Sequence, residues 1–182
     1  MAEFTLAERL RTAHVKRWQI VRVAREQNIA EHMYLVRQWT LAFAEVLKLP
    51  ANECIVAQLW ALEHDVPETR TGDLATPVKV AMRNAVPHGY PIRTIELAMS
   101  DSYREIYRCV KNDLPHLKVL VKLADLVEAV HFLDIEGIGT HAATVKRGIW
   151  KNFTDLIDKA IVNFPVHDWR AVYNIAVHET GA

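Results

Sequence analysis

The run His64-Asp65-Val66-Pro67-Glu68-Thr69-Arg70-Thr71-Gly72-Asp73-Leu74-Ala75-Thr76-Pro77-Val78-Lys79 marks the point where a helical pattern stops and a dense loop begins. Upstream, Glu53 to Glu63 reads as a helix leading straight into His64-Asp65. Downstream, Pro67, Gly72 and Pro77 interrupt regular structure, so Val66 to Pro77 reads as a loop. A loop of that length inside a compact domain points to function. Neighbouring side chains on a helix diverge by about 100°, so His64 and Asp65 can face one ion only near the helix end.

Helical spacing governs the rest of the chain. Met33, Val36, Leu41, Ala44 and Leu47 recur at steps of three and five residues, close to the helical period, over Ala30 to Leu47. Asn28 with Glu31 is a start signal for that helix, and Pro50 is a stop. Val78 to Val86 reads as a short helix closed by Pro87-His88-Gly89. Ile92 to Val110 reads as one helix, and Leu114 to Leu133 as a long amphipathic one ending near Gly137-Ile138-Gly139. Thr140 to Phe164 and Asp168 to His178 complete the set. Strand alternation is weak throughout, and no repeat or linker is visible. The expected fold is all-α, a helical bundle forming a single domain over residues 1–182.

Composition narrows the function classes. Of the 182 residues, 51% are hydrophobic and 24% charged, as in a globular protein, and the formal net charge is zero. That balance argues against a nucleic-acid polymer or an anionic membrane as partner, so any attraction for phosphate must be local. Cys54 and Cys109 lie far apart and read as buried, reduced thiols. Met1 to Leu10 carries Glu3 and Glu8 and lacks the apolar centre of a signal peptide, and no apolar run reaches the ~18–20 residues of a membrane span. The expected location is the cytoplasm.

Two more polar residues stand in segments otherwise built to pack: His32 in Ala30-Glu31-His32, and Asp125 among Leu123, Ala124, Leu126 and Val127. A carboxylate there costs several kcal/mol, on the order of 3–5, unless it is paired or metal-bound. Two imidazoles and two carboxylates from separate helices suit a first-row divalent ion with water positions left open.

The ordered set His32, His64-Asp65, Asp125 resembles the H…HD…D signature of the HD phosphohydrolase superfamily. Arg17-Trp18, Asn28 to His32 and the run from His64 to Lys79 extend the likeness to bacterial 5′-deoxynucleotidases of the YfbR type, over roughly Arg17 to Leu133. The resemblance implies a helical bundle holding one divalent metal on His32, His64, Asp65 and Asp125. It implies that Glu68 handles the attacking water or the leaving group. Arg17 would grip phosphate and Trp18 pack on the nucleoside. Asp73 would lie near the sugar and the metal-bound water as a second catalytic residue, and Lys79 would face phosphate beside Pro77. The chemistry agrees: Arg17 offers a planar fork for phosphate, Trp18 a stacking surface and Lys79 a point charge. Zinc, cobalt, manganese and magnesium stay open as the metal.

Gln19-Ile20-Val21 follows Arg17-Trp18 where the bacterial enzymes tend to carry Pro-Leu-Met, and the chain is shorter. Both features are more similar to the small phage HD enzymes that remove dATP, the DatZ type. In that type an aliphatic side chain crowds the purine edge at C2, a role that falls to Ile20 beside Trp18. The expected activity is therefore dATP triphosphohydrolysis at the α-phosphorus, with a 5′-deoxynucleotidase as alternative. A nucleotide-binding HD module without turnover is the third reading. Arg22, Arg25, Arg70, Lys79 and Arg83 are candidates to line the region beyond the α-phosphate. The resemblance also implies a homo-oligomer, to which Trp39, Trp60, Trp150 and Trp169 could contribute, core packing being the stronger use for most of them.

Overall fold

The computed structural model describes residues 3–86 and 91–181. The chain runs through α1 (Leu6–Leu10), a 3₁₀ turn (Arg11–His14), α2 (Ile29–Val46), α3 (Ala51–Glu63), α4 (Glu68–Thr71) and α5 (Thr76–Ala85). It continues through α6 (Pro91–Met99), α7 (Asp101–Arg108), a π turn (Cys109–Asp113), α8 (Pro115–Glu136), α9 (Gly139–Asn163) and α10 (Trp169–Thr180). No strand ladder forms among the described residues, only two isolated bridges.

The signals at the helix ends act as the sequence suggests. Asn28 caps α2 by accepting from the Glu31 amide at 2.9 Å, which satisfies one of the donors a helix start leaves open. Pro50 opens α3, and Asp168 caps α10. The helix Val78–Val86 begins two residues early, with Pro77 in the first turn of α5. Its expected close at Pro87-His88-Gly89 lies outside the described residues.

Three expectations are corrected. The stretch Ile92 to Val110 is not one helix: it breaks at Ser100, whose backbone is extended and whose hydroxyl caps α7 by accepting from Tyr103 N. Periodicity ran through the break because Ile92 on α6 and Tyr103 on α7 are both buried. The loop Val66 to Pro77 contains α4, one turn that buries Glu68. Cys54 and Cys109 are free but only half-buried.

The core is built on α8, which packs against α2, α3 and α9. Leu117, Leu120, Leu123 and Val127 meet Val36 and Phe43 of α2, Trp60 of α3 and Phe153 of α9 in one apolar cluster. Trp60 and Trp169 are core residues, and Trp39 and Trp150 pack half-buried against the same cluster. All four tryptophans are thus used in packing. Among the described residues no helix is long and apolar enough to cross a membrane.

Residues 15–28 form a strap with no helix. It is pinned at its start by Lys16 bridging Asn28, and near its end by Val23 bridging Gly137. Ala24 N donates to Glu136 O at 2.8 Å and Ile138 N to Arg22 O at 2.9 Å. Gly137 is required at this crossing, since an added Cβ would stand 2.4 Å from the Leu133 carbonyl. The strap therefore lies across the C-terminal end of α8 and carries Arg17 and Trp18 to the site.

Candidate active site

Three helices supply the centre. His32 comes from the first turns of α2, His64 and Asp65 from the end of α3, and Asp125 from the middle of α8. His32 Nε2 stands 3.5 Å from Asp65 Oδ2 and 3.3 Å from Asp125 Oδ1, and His64 Nε2 stands 3.4 Å from Asp65 Oδ2. One ligand atom each from His32, His64 and Asp125 falls within 4.8 Å of the others.

Both imidazoles are oriented from behind. His64 Nδ1 lies 2.9 Å from Ala61 O, and His32 Nδ1 lies 2.6 Å from Glu128 Oε2. Each ring thus donates on its far side and turns Nε2 toward the carboxylates. Both Nε2 atoms are buried without a hydrogen-bond partner. Burying such an atom unpaired is costly, and a cation among these four residues removes the cost. Distant Nδ1 partners that fix a ring's tautomer are the usual support of a metal-binding histidine. The residues present fit a divalent ion.

Electrostatics agree. Burial disfavours charge on Asp65, yet His64 and His32 hold its carboxyl below the ordinary range. Asp125 is held well below that range against burial, first by Lys122 and then by His32. Burial and the Arg17 charge oppose protonation of His32, but Glu128 and Asp125 outweigh them and push it up to about 9. Burial pulls His64 down.

Glu68 sits at the edge of this centre. Its side chain is buried, with Oε1 accepting from Lys79 Nζ at 3.1 Å and Oε2 unpartnered. Burial, reinforced by the Asp65 charge, raises its carboxyl well above the ordinary range, and Lys79 only partly offsets this. Lys79 also lies 3.8 Å from Asp73, so it stands between two carboxylates and is not a lone charge. Pro77 is exposed, two residues before Lys79 in the first turn of α5.

The strap residues form a network that sequence reading did not contain. Gln27 is wholly buried: its Oε1 accepts from Trp18 Nε1 at 2.8 Å and Arg17 Nη1 at 3.0 Å, while its Nε2 donates to Glu128 Oε1 at 2.5 Å. Arg17 Nη1 also reaches Glu128 Oε2 at 3.2 Å and touches His32 Nδ1. Trp18 stacks on Phe132, centroids 5.7 Å apart and planes 2° from parallel. It holds a positive φ of 63°, a conformation costing ~1–3 kcal/mol for a bulky residue. Its indole hydrogen bond to Gln27 and its stacking on Phe132 hold that conformation in place. Ile20 is 55% exposed, which excludes core packing as its use. Gln19 Nε2 donates to Asp73 O at 3.2 Å and ties the strap's turn to the Gly72-Asp73 loop.

The cations expected beyond the centre are mostly occupied elsewhere. Arg25 pairs with Glu31 and Glu136, and Arg70 pairs with Glu8 across the Phe4 ring. Arg22 and Arg83 lie exposed. Glu128 and Gln27 are what sequence reading missed. The signal for Glu128 was present, a lone carboxylate inside the apolar run of α8.

This arrangement, on an all-helical frame, defines a metal-dependent phosphohydrolase. The HD domain family profile matches residues 7–116, and the chain belongs to that family. It is similar to the dATP triphosphohydrolase of Acinetobacter phage SH-Ab 15497, at 29% identity over 97% of this chain and 91% of the relative. It is 32% identical to the dATP triphosphohydrolase of Cyanophage S-2L, over 88% of this chain and 87% of that one. The solved structure of the Cyanophage S-2L HD phosphohydrolase DatZ, bound to dA and one catalytic Zn²⁺ ion, superposes with a TM-score of 0.85. That match has 27% identity and covers 100% of this chain and 99% of the other.

Proposed function

We propose that this chain hydrolyses dATP to deoxyadenosine and inorganic triphosphate by attack of water on the α-phosphorus. The observation that carries the reading is the pair of buried, unpartnered Nε2 atoms of His32 and His64 beside Asp65 and Asp125. The end-to-end likeness to two phage dATP triphosphohydrolases supports the choice of substrate.

His32, His64, Asp65 and Asp125 hold the divalent ion, with zinc favoured over cobalt, manganese and magnesium by the ion in the DatZ structure. Such an ion supplies positive charge that polarises the phosphoryl group and makes a nearby water more acidic. Glu68 is the acid–base group. Its raised proton affinity lets it take the proton that water loses as the water oxygen bonds to phosphorus. The phosphorus–O5′ bond breaks, and O5′ leaves as a hydroxyl after receiving that proton. Lys79 holds Glu68 in place and adds charge near phosphate, with Pro77 fixing the start of its helix. Arg17 grips phosphate, and Trp18 with Ile20 bounds the base. Asp73 meets the sugar.

The whole chain, residues 1–182, works as one domain, supported by a core that runs from Phe4 to Ala176. The enzyme acts in the cytoplasm of a bacterium or of a phage-infected cell, in keeping with its phage relatives. It assembles as a homo-oligomer. The outward stripe of Ile55, Leu59 and Leu62 on α3, each well exposed, supports a covered apolar face. The test is a product assay on dATP, dGTP and dAMP with and without chelator. Triphosphate and deoxyadenosine from dATP, lost on chelation, are expected. Turnover of dAMP alone would make the enzyme a 5′-deoxynucleotidase, and no turnover at all would leave a binding module.

A further inference from the structure

His64 and Asp65 are neighbours in the chain, yet His64 Nε2 and Asp65 Oδ2 close to 3.4 Å and face one centre. Adjacent side chains diverge by about 100° on a helix, so their meeting depends on how the one peptide between them is set. That peptide lies at the end of α3, with His64 as its C-cap, where the last carbonyls lack partners inside the helix. The two residues that would ordinarily bond the His64 carbonyl do not. Pro67 has no N–H, and the Glu68 amide donates to Asp65 O at 2.9 Å. The carbonyl is left for a side chain.

Tyr103 of α7 takes that place: its hydroxyl donates to His64 O at 3.1 Å. The side chain is wholly buried, and its ring packs 5.5 Å from Trp60, which itself meets the His64 ring at 6.5 Å. The hydroxyl is aimed from behind. Arg93 Nη1 of α6 donates to Tyr103 Oη at 2.6 Å, and the same nitrogen pairs with Glu96 at 2.9 Å. A guanidinium only donates, so the tyrosine oxygen accepts from it and its single proton is left for His64 O. Neither α6 nor α7 gives a ligand to the centre, and none of these three residues acts in the hydrolysis. Burying a hydroxyl, a carboxylate and most of a guanidinium here costs desolvation that apolar side chains would avoid. That cost marks a role beyond packing.

We propose that Tyr103, aimed by Arg93 and Glu96, is a positioning residue for the metal centre; this rests on the metal site described above. Its hydrogen bond sets the peptide joining His64 to Asp65, and so the angle at which their side chains converge on the ion. Tyr103 acts through the backbone of this ligand pair and not by contact with the ion.

The test is zinc affinity of the full chain, measured by chelator competition, with melting curves of the metal-free proteins alongside. Tyr103→Phe keeps the buried ring and removes only the hydroxyl. Zinc should then bind about tenfold or more weakly, the scale of losing a partner that orients a metal ligand. Arg93→Lys keeps the charge but not the planar fork. It should weaken zinc less than Tyr103→Phe does, and add nothing in the Tyr103→Phe background, because it acts through the hydroxyl. A role confined to packing would lower the melting temperature of the metal-free protein and leave zinc affinity alone. Affinity within about twofold of the unmodified protein in Tyr103→Phe, or fully additive losses in the double variant, would overturn the proposal. Should Tyr103→Phe not fold, Arg93→Lys decides alone: weakened zinc supports the proposal and unchanged zinc overturns it. If the unmodified protein itself binds no zinc, the metal site fails first and the proposal falls with it.

Discussion

Glu128 Oε2 lies 2.6 Å from His32 Nδ1, on the side of the ring opposite the nitrogen that faces Asp65 and Asp125. Glu128 is also the point where the strap joins the metal site, since Gln27 and Arg17 both donate to it. Its charge holds the ring's orientation and keeps Nε2 open. Glu128→Gln keeps the shape and removes the charge. Metal affinity should fall about 10–100-fold, the usual cost of losing such a support, with activity restored at high metal concentration. Chelator competition measures it, and unchanged affinity would show that the ring needs no carboxylate behind it.

The same pairing sets a pH dependence. Burial and Arg17 oppose the proton on His32, but Glu128 and Asp125 push its pKa up to about 9. An ion needs the neutral ring, so below about 9 it must displace a proton. Metal affinity should therefore climb as pH rises toward about 9 and weaken as pH falls. Calorimetry in buffers of different ionisation enthalpy reads the released proton directly. Affinity that stays flat from about pH 7 to 9 would place the proton elsewhere.

Asp65 and Glu68 lie three residues apart but should separate cleanly. Asp65→Ala removes a carboxylate from the centre and should abolish both tight metal binding and turnover. Glu68→Ala should retain the metal and lose about 10²–10⁴ in kcat, the span of general acid–base contributions. Measuring bound metal and rate on both variants checks this. An active Asp65→Ala enzyme in metal-free buffer would contradict the metal mechanism.

Much of this site was legible because its chemistry breaks local patterns. His64-Asp65 stands where a helix gives way to Pro67 and Gly72, and Asp125 interrupts an apolar helix. Glu128, one turn later in the same helix, breaks the pattern as plainly, but nothing local ties it to His32, 96 residues away. Gln27 was hidden in the same way: its meaning lies in a strap that crosses the end of α8. The break at Ser100 escaped because burial repeats across it.

Ile20 should set base preference. It is exposed in the turn that follows Trp18, whose ring is fixed on Phe132 and bonded to Gln27. An aliphatic group against purine C2 accepts hydrogen there and leaves an amino group without a partner. Burying that donor costs ~1–3 kcal/mol, so dATP should be preferred roughly tenfold or more over dGTP and 2-amino-dATP. Ile20→Ala should narrow the gap by raising kcat/KM on the 2-amino substrates. Equal turnover of dATP and dGTP by the unmodified enzyme would remove Ile20 from the base site.

Water placed by Glu68 beside the metal centre is proposed to attack the α-phosphorus of dATP. Hydrolysis in ¹⁸O-labelled water with mass analysis of both products tests it most directly. One labelled oxygen is expected in inorganic triphosphate, none in deoxyadenosine, and no dADP, dAMP, phosphate or pyrophosphate. Label in the 5′-hydroxyl of deoxyadenosine, or cleavage at the β- or γ-phosphorus, would contradict it.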